Sequence, residues 1–165
     1  MGRLDEAAFA GFHDRCATGL RAYVHRVIGN AADVDDIVQE AFLRMLRAEL
    51  PSDDDEQWRR YVYRIASNLI VDRWRRGKFE QTVAIVQEPV APTPHYEDDA
   101  TVAQIFAELK PRERALLWLA YVEGESHEEI AASLGVGRRG VRVLLFRARR
   151  RLRDLLQARG ILVNR

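Results

Sequence analysis

Apolar residues recur every three or four positions over most of this chain, a spacing typical of amphipathic helices. The first predicted helix ends near Gly29-Asn30. Asp33 has the position of an N-cap for a second helix, which Pro51 ends. A third helix is expected from about Gln57 to Arg76. The predicted apolar faces are Phe9, Phe12, Cys16, Leu20, Tyr23, Val24 and Val27 in the first helix, Ile37, Ala41, Leu43 and Leu46 in the second, and Trp58, Tyr61, Val62, Ile65, Leu69 and Trp74 in the third.

A flexible linker is predicted after Gly77, over roughly residues 78–98. This stretch contains acidic residues and three prolines, and it shows no sustained hydrophobic period. The helical pattern then returns, restarts after Pro111 and ends at Gly124. The apolar residues that mark its return are Val102, Ile105, Phe106 and Leu109.

The last part of the chain has the form of a helix-turn-helix. The segment SHEEIAASL leads to a turn at Gly135-Val136-Gly137, and a long helix follows. The apolar face of that helix consists of Val141, Leu145, Ala148, Leu152 and Leu155. The sequence therefore predicts an all-α protein of two small helical domains, residues 1–77 and 99–165, joined by the linker at 78–98.

Charge is strongly segregated along the chain, although the net charge is only +1. Residues 57–79 carry seven Lys/Arg against one acid, and residues 130–165 carry ten against one. Acidic residues elsewhere balance this excess. Two separate basic segments indicate a protein that binds a nucleic acid at two places. The local electrostatic field of each segment attracts a polyanion, whatever the net charge of the whole chain.

Several classes of protein are disfavoured by the sequence. No run of about 18 apolar residues predicts a membrane span. The N-terminus has acids where a signal peptide needs an apolar stretch, and a lone Cys16 suits a reducing compartment, so a cytoplasmic location is expected. His127-Glu128 begins like the zinc motif HExxH, but Ala131 replaces the second histidine. We therefore expect neither catalysis, nor a metal, nor a cofactor.

Three blocks of the chain, residues 33–48 (DVDDIVQEAFLRMLRA), 61–76 (YVYRIASNLIVDRWRR) and 109–152, resemble the extracytoplasmic-function group of bacterial sigma factors in that family's own order. The resemblance implies a domain two that docks on core RNA polymerase and recognises and melts the minus-ten element. It also implies a linker and a domain four that reads the minus-thirty-five element. Core RNA polymerase, promoter DNA and an anti-sigma factor are the implied partners.

The second helix carries a polar and mostly negative face, which DNA would repel and a basic protein would attract. In the family, the matching helix binds the clamp helices of the largest polymerase subunit. An ordinary solvated face, with acids favoured by the helix dipole, is the alternative interpretation. The predicted docking residues are Asp33, Asp35, Asp36, Gln39 and Glu40.

The third helix is the expected site of minus-ten recognition. Asn68 matches the last position of the family motif YRIAxN, near which a non-template base is captured, and Asp72 lies on the same helix face. Nearby arginines can neutralise phosphates. Alternatively, Asn68 caps or bends a helix, and Asp72 simply pairs with Arg75 or Arg76. Base stacking by Tyr63 and Trp74 also remains open. The predicted minus-ten residues are Asn68, Asp72, Arg64, Arg73, Arg75 and Arg76.

The helix after the turn at residues 135–137 is expected to enter the major groove, with its leading residues at base edges. The predicted minus-thirty-five residues are Arg138, Arg139 and Arg142 at bases, and Arg147, Arg149, Arg150 and Arg151 at phosphates or in solvent. The family pattern of Gly-Thr-Val, Lys or Arg, Ser and Arg is not kept, because Gly140, Val143 and Leu144 replace Thr, Ser and Arg. These residues indicate either an unusual promoter element or an apolar patch for a protein partner.

Three functions fit these observations. A sigma factor needs both domains and the acidic docking helix. A helix-turn-helix regulator that acts without polymerase would need neither the acidic helix nor the YRIASN motif. A sigma-mimic decoy, which captures an anti-sigma factor and never touches DNA, should lose its basic surfaces, and this chain keeps them.

Overall fold

The computed structural model describes residues 5–50, 54–77 and 97–162. These residues form seven α-helices, and no strand occurs among them, so the predicted all-α class is confirmed. A π-helical turn, Trp118–Val122, continues α5 directly. The helices are α1 Glu6–Ile28, α2 Ala31–Arg47, α3 Asp55–Arg76, α4 Glu97–Ala107, α5 Pro111–Leu117, α6 His127–Leu134 and α7 Arg138–Ala158.

The chain divides into two compact units, one built around α1–α3 and the other around α4, α5 and α7. The linker expected at residues 78–98 lies outside the described residues up to position 96, and α4 already includes Glu97 and Asp98. The domain boundaries therefore stay a prediction.

The junction between α1 and α2 lies where the sequence predicts it, but a different residue caps α2. Gly29 ends α1 in the left-handed conformation, with a φ of 78°. Asn30 is then extended, and its Oδ1 accepts hydrogen bonds from the backbone N–H groups of Ala32 at 3.0 Å and Asp33 at 3.4 Å. The prediction of Asp33 as the N-cap is wrong, because this amide already satisfies the open helix end three residues earlier.

The core of the first unit takes in more of α3 than the sequence predicts. Because α3 packs against both α1 and α2, it buries residues around most of its circumference. Leu43 was expected in the core and is exposed, whereas Phe42 beside it is buried. Tyr61, Ile65, Trp74 and Leu46 are only half-buried, in contrast to their predicted core positions. The buried residues of α3 are Trp58, Val62, Tyr63, Ala66, Ser67, Leu69, Ile70 and Val71.

A close contact between α1 and α3 depends on a glycine. The rings of Tyr23 and Tyr63 lie 5.4 Å apart, centroid to centroid, and the Tyr23 hydroxyl shares a buried 2.8 Å hydrogen bond with Ser67 Oγ. A Cβ added at Gly19 would lie 3.1 Å from the Tyr63 hydroxyl oxygen. Since Tyr63 is fully buried, it has little room to move away. Gly19 therefore lets the two helices approach.

The predicted order of helix, turn and long helix is confirmed at α6 and α7, and the second unit has its own apolar core. Its core contains Leu109, Leu117 and Ala148, with Phe106, Leu152 and Leu155 packed against them. Ser126 and Glu129 form a reciprocal capping box at the start of α6, with N···O distances of 2.8 and 3.2 Å. The turn that follows α6 begins at Gly135, whose φ of 63° suits glycine.

Replacement of Gly19 by alanine tests the α1–α3 contact. We expect Gly19→Ala to lower the free energy of unfolding by about 1 kcal/mol, because overpacking against Tyr63 outweighs the better helix propensity of alanine. Gly11→Ala is the matched control on the same helix. There the nearest atom is the flexible end of the Arg15 side chain, so the gain in propensity should raise stability by about 0.5–1 kcal/mol. Urea unfolding of both variants measures the difference, and equal shifts would contradict this account.

Candidate nucleic-acid and partner interfaces

The rotation of α7 about its axis is set by a buried apolar stripe. Val141, Leu145 and Ala148 are buried, at the three- and four-residue spacing of one helix face. Leu152 continues this stripe and packs into the core of the second unit. All the arginines predicted on this helix are consequently turned outward, and all are exposed.

Six of the eight exposed arginines of α7 fall into two stripes, and Arg151 and Arg153 belong to neither. The outer stripe lies opposite the buried face, and two apolar residues interrupt it. The flanking stripe runs beside the buried face. The outer stripe consists of Arg139, Val143, Phe146, Arg147 and Arg150, and the flanking stripe of Arg138, Arg142 and Arg149. From the sequence, the arginines near the start of α7 were predicted to contact bases and the later ones to contact phosphates or solvent. The structure instead places Arg149 on the same face as Arg138 and Arg142.

The flanking stripe borders a cavity of about 260 Å³ in the second unit. The hydroxyl of Tyr121, on the π-helical turn, accepts a hydrogen bond from Arg149 Nη1 at 2.9 Å. Tyr121, His127, Arg142 and Arg149 bring three basic groups and a phenol to the cavity, beside one acid, Glu125. Such a set can hold a phosphate oxygen from several sides. Tyr121 is not among the residues predicted from the sequence, because a π-helical turn positions it and hydrophobic periodicity carries no signal for such a turn.

The residues that depart from the family pattern on α7 do not share one face. Val143 is exposed on the outer stripe, whereas Leu144 is half-buried toward the other flank. Gly140 is half-buried, and a Cβ added there would meet no described atom within 4 Å beyond the adjacent backbone of α7. Val143 and Leu144 therefore do not share a face, and their expected position near the reading face stays a prediction.

The predicted minus-ten residues on α3 separate into an exposed face and an internal contact. Arg64, Asn68 and Arg75 are exposed and lie on one face, at spacings of four and seven residues. Asp72 is half-buried beside them, and within the described residues it forms no ion pair with Arg75 or Arg76. Arg76 is exposed further round the helix. The face around Asn68 combines an amide that can pair with a base edge and two phosphate-binding cations.

Arg73 points toward α2 rather than toward that exposed face. Its Nη1 donates to Asp33 Oδ1 at 2.5 Å, and its Nη2 lies 3.8 Å from Asp36 Oδ2. The structure thus joins three residues that the sequence assigns to two separate interfaces. Because this ion pair links two helices of one unit, Arg73 and Asp33 have a structural role besides any role in binding.

The acidic face of α2 is partly neutralised by other ion pairs. Both terminal nitrogens of Arg21 donate to one carboxylate oxygen of Asp35, and Arg44 Nε donates to Glu40 at 2.8 Å. Gln39 is exposed, and the Asp36 side chain is 70% exposed. Asp36 and Gln39 are therefore the predicted docking residues most available to a partner.

The aromatic residues of α3 are mostly core residues. Trp58 and Tyr63 are buried, and the Arg59 guanidinium lies 5.4 Å from the centroid of the Tyr63 ring. Burial removes Tyr63 from the candidates for base stacking. Trp74 is half-buried, so it stays a candidate for base stacking.

Ionisation and metal binding add little to these surfaces. Burial lowers the pKa of Arg114 from the usual range of arginine, yet this side chain keeps its charge at neutral pH. In residues 5–50, 54–77 and 97–162, no three His, Cys, Asp or Glu side chains are grouped so that they could hold a metal ion. None of the helices in these ranges is long and apolar enough to cross a membrane.

Comparison with known proteins identifies the family. Residues 12–80 match the model for sigma-70 region 2, and residues 100–152 match the model for sigma-70 region 4. The ECF RNA polymerase sigma factor SigL of Mycobacterium tuberculosis is 30% identical to this chain, over 98% of the chain and 99% of SigL. SigW of Bacillus subtilis is 28% identical, over 93% and 91%. The chain belongs to the ECF group of RNA polymerase sigma factors.

Solved structures support the same fold. One similar structure is the sigma factor RpoE of Bartonella quintana, which was solved with the anti-sigma factor NepR. The match has a TM-score of 0.66 and 20% sequence identity, and it covers 90% of this chain and 96% of the RpoE chain. CnrH, solved with the cytosolic domain of CnrY, covers 93% at a TM-score of 0.61 and 26% identity, with 90% of its own chain matched.

The hydrogen bond from Arg149 to Tyr121 can be tested by removal of one hydroxyl group. If the phenol holds Arg149 in place for a phosphate, Tyr121→Phe should weaken DNA binding by about threefold to tenfold, the value of one exposed hydrogen bond. The same change in an Arg149→Ala background should then have no effect. Fluorescence anisotropy with promoter duplexes measures all four proteins. Equal losses in both backgrounds would show that Tyr121 acts independently of Arg149.

Proposed function

We propose that this chain binds bacterial core RNA polymerase and directs it to promoters for transcription initiation. The observation that carries this proposal is the pair of outward-facing cationic helices. One is α3, with Asn68 among arginines, and the other is α7, with its two arginine stripes. They lie in the segments that match sigma-70 regions 2 and 4. A protein with this activity needs no catalytic group of its own, and it works in the cytoplasm with the polymerase.

We assign different tasks to the three helices. The exposed part of α2 around Asp36 and Gln39 docks on a basic surface of core polymerase. The face of α3 around Asn68 captures an unpaired base of the minus-ten element, while Arg64 and Arg75 hold the strand through its phosphates. The outer stripe of α7 reads the minus-thirty-five element in the major groove, and the flanking stripe contacts the backbone.

An anti-sigma factor is the proposed regulator. RpoE of Bartonella quintana was solved with the anti-sigma factor NepR, and CnrH with the cytosolic domain of CnrY. A partner of this kind would suppress the activity if it covered the docking face of α2 or the cationic faces of α3 and α7. The rival function of a decoy is disfavoured, because a decoy has no need for eight exposed arginines on α7.

Run-off transcription is the direct test of the proposed function. With bacterial core polymerase and a library of promoter duplexes, addition of this protein should yield discrete transcripts that core polymerase alone does not make. A duplex-binding regulator would instead bind DNA and leave the transcripts unchanged. Failure to bind core polymerase at all would overturn the proposal.

Two substitutions should separate promoter opening from docking. Asn68→Ala should leave the affinity for core polymerase unchanged and lower transcription from a closed promoter by about tenfold or more, the value of one good base contact. A promoter already melted across the minus-ten element should recover part of that loss. Asp36→Lys should weaken core binding by roughly fivefold, mainly in the association rate and more at low salt.

The matched control for Asp36→Lys is Asp14→Lys. Asp14 lies on α1 with its side chain 85% exposed, so the net charge changes equally. Asp36 is preferred to Asp35 as the test, because loss of Asp35 would also leave Arg21 without its partner. Pull-down of core polymerase and permanganate footprinting of the melted region measure the two steps. Equal impairment of both steps in Asn68→Ala and Asp36→Lys would contradict the division of tasks.

A further inference from the structure

The outer stripe of α7 exposes two large apolar side chains among its arginines. Val143 is 49% exposed and Phe146 is 57% exposed. They lie three residues apart, about one helical turn, and therefore on the same face. Arg139, Arg147 and Arg150 surround them, and the first acidic residue of α7 is Asp154.

The charges around these side chains indicate what covers them. An apolar protein surface laid on Val143 and Phe146 would also bury three guanidinium groups, which is unfavourable unless the partner supplies an acid for each. DNA supplies both requirements at once. Its phosphates neutralise the arginines, and the floor of the major groove offers one apolar group, the 5-methyl of thymine.

Gly140 fits the same interpretation. It lies in the first turn of α7, three residues before Val143, where glycine costs about 1 kcal/mol relative to alanine. Apart from the adjacent backbone of α7 itself, no described atom lies within 4 Å of the position that a Cβ would occupy. Packing within this chain therefore does not require a glycine at position 140. A glycine would be required if an outside molecule approached the helix backbone closely at this position.

We propose that Val143 and Phe146 determine promoter specificity through apolar contact with the 5-methyl groups of thymines in the minus-thirty-five element. Gly140 leaves space for the base edges beside them. The arginines of the outer stripe bind phosphates and guanine edges around this contact. The inference rests on the proposed function, since it requires that α7 lies in the major groove.

Replacement of thymine by deoxyuridine tests the contact, because it removes only the methyl group. Upstream elements are first selected from promoter duplexes with a randomised upstream segment, using the full chain bound to bacterial core polymerase. Each thymine of the selected element is then replaced singly. We expect a loss of about fourfold at one or two positions, the value of burying one methyl-sized group. Val143→Ala should abolish the loss at one position, and Phe146→Ala at the other or at a neighbouring one.

Val102→Ala is the matched control, because this valine of α4 is 50% exposed, as Val143 is, and lies off α7. It should retain every methyl-dependent loss. All three changes are at exposed sites, and unchanged melting temperatures verify the fold. Failure to select any element would overturn the proposed function together with the inference. A selected element whose binding ignores the methyl groups, or methyl-dependent losses that persist in Val143→Ala and Phe146→Ala, would overturn the inference alone. If those variants instead lose affinity for an anti-sigma factor, the patch serves a protein partner.

Discussion

Burial of one stripe of α7 is the constraint on which the second unit depends. Val141, Leu145 and Ala148 face the interior, and a rigid helix then has no freedom in where its other side chains point. Three buried residues thereby divide six arginines between an outer stripe and a flanking stripe. The same constraint exposes Val143 and Phe146 at the centre of the outer stripe. Loss of apolar contact on the inner side of this helix would therefore disorganise the charged side.

In the first unit, ion pairs between helices limit which charges are available to partners. Asp33 binds Arg73, Asp35 binds Arg21, and Glu40 binds Arg44 within its own helix. Exposed pairs of this kind each contribute little to stability, commonly less than about 1 kcal/mol. They do neutralise much of the acidic face of α2, so that the field at this surface is weaker than its composition implies. Asp36 is left as the acid with the most exposed side chain on that helix.

The two units use polar and apolar side chains in opposite ways. On α3, aromatic residues are drawn into the core, and Asn68 with its neighbouring arginines forms the surface. On α7, the core needs only a narrow stripe, so large apolar side chains remain at the surface. The difference follows from how much of each helix is buried. In the first unit, α1 and α2 cover α3 around most of its circumference, whereas in the second unit α7 buries a single face against α4 and α5.

Periodicity and charge in the sequence alone determined the all-α class, the end of α1, the turn before α7 and the two basic segments. These features depend on neighbours within one or two helical turns, which the sequence displays directly. The family resemblance supplied the order of the two domains. The wrong predictions concern a choice between two nearby residues. Asn30 rather than Asp33 caps α2, and Phe42 rather than Leu43 is buried in the core.

Only the tertiary structure decided which face of each helix is outward and which charges are already paired. Arg73 and Asp33 are 40 residues apart in the chain, and no local pattern predicts that they meet. Burial of Tyr63 depends on α1 packing across it, and the position of Tyr121 depends on a π-helical turn. Hydrophobic periodicity gives the angles between residues of one helix, but the packing of other helices against it selects the buried side. For that reason the sequence identified the basic helices, and the fold selected the side chains that can reach DNA.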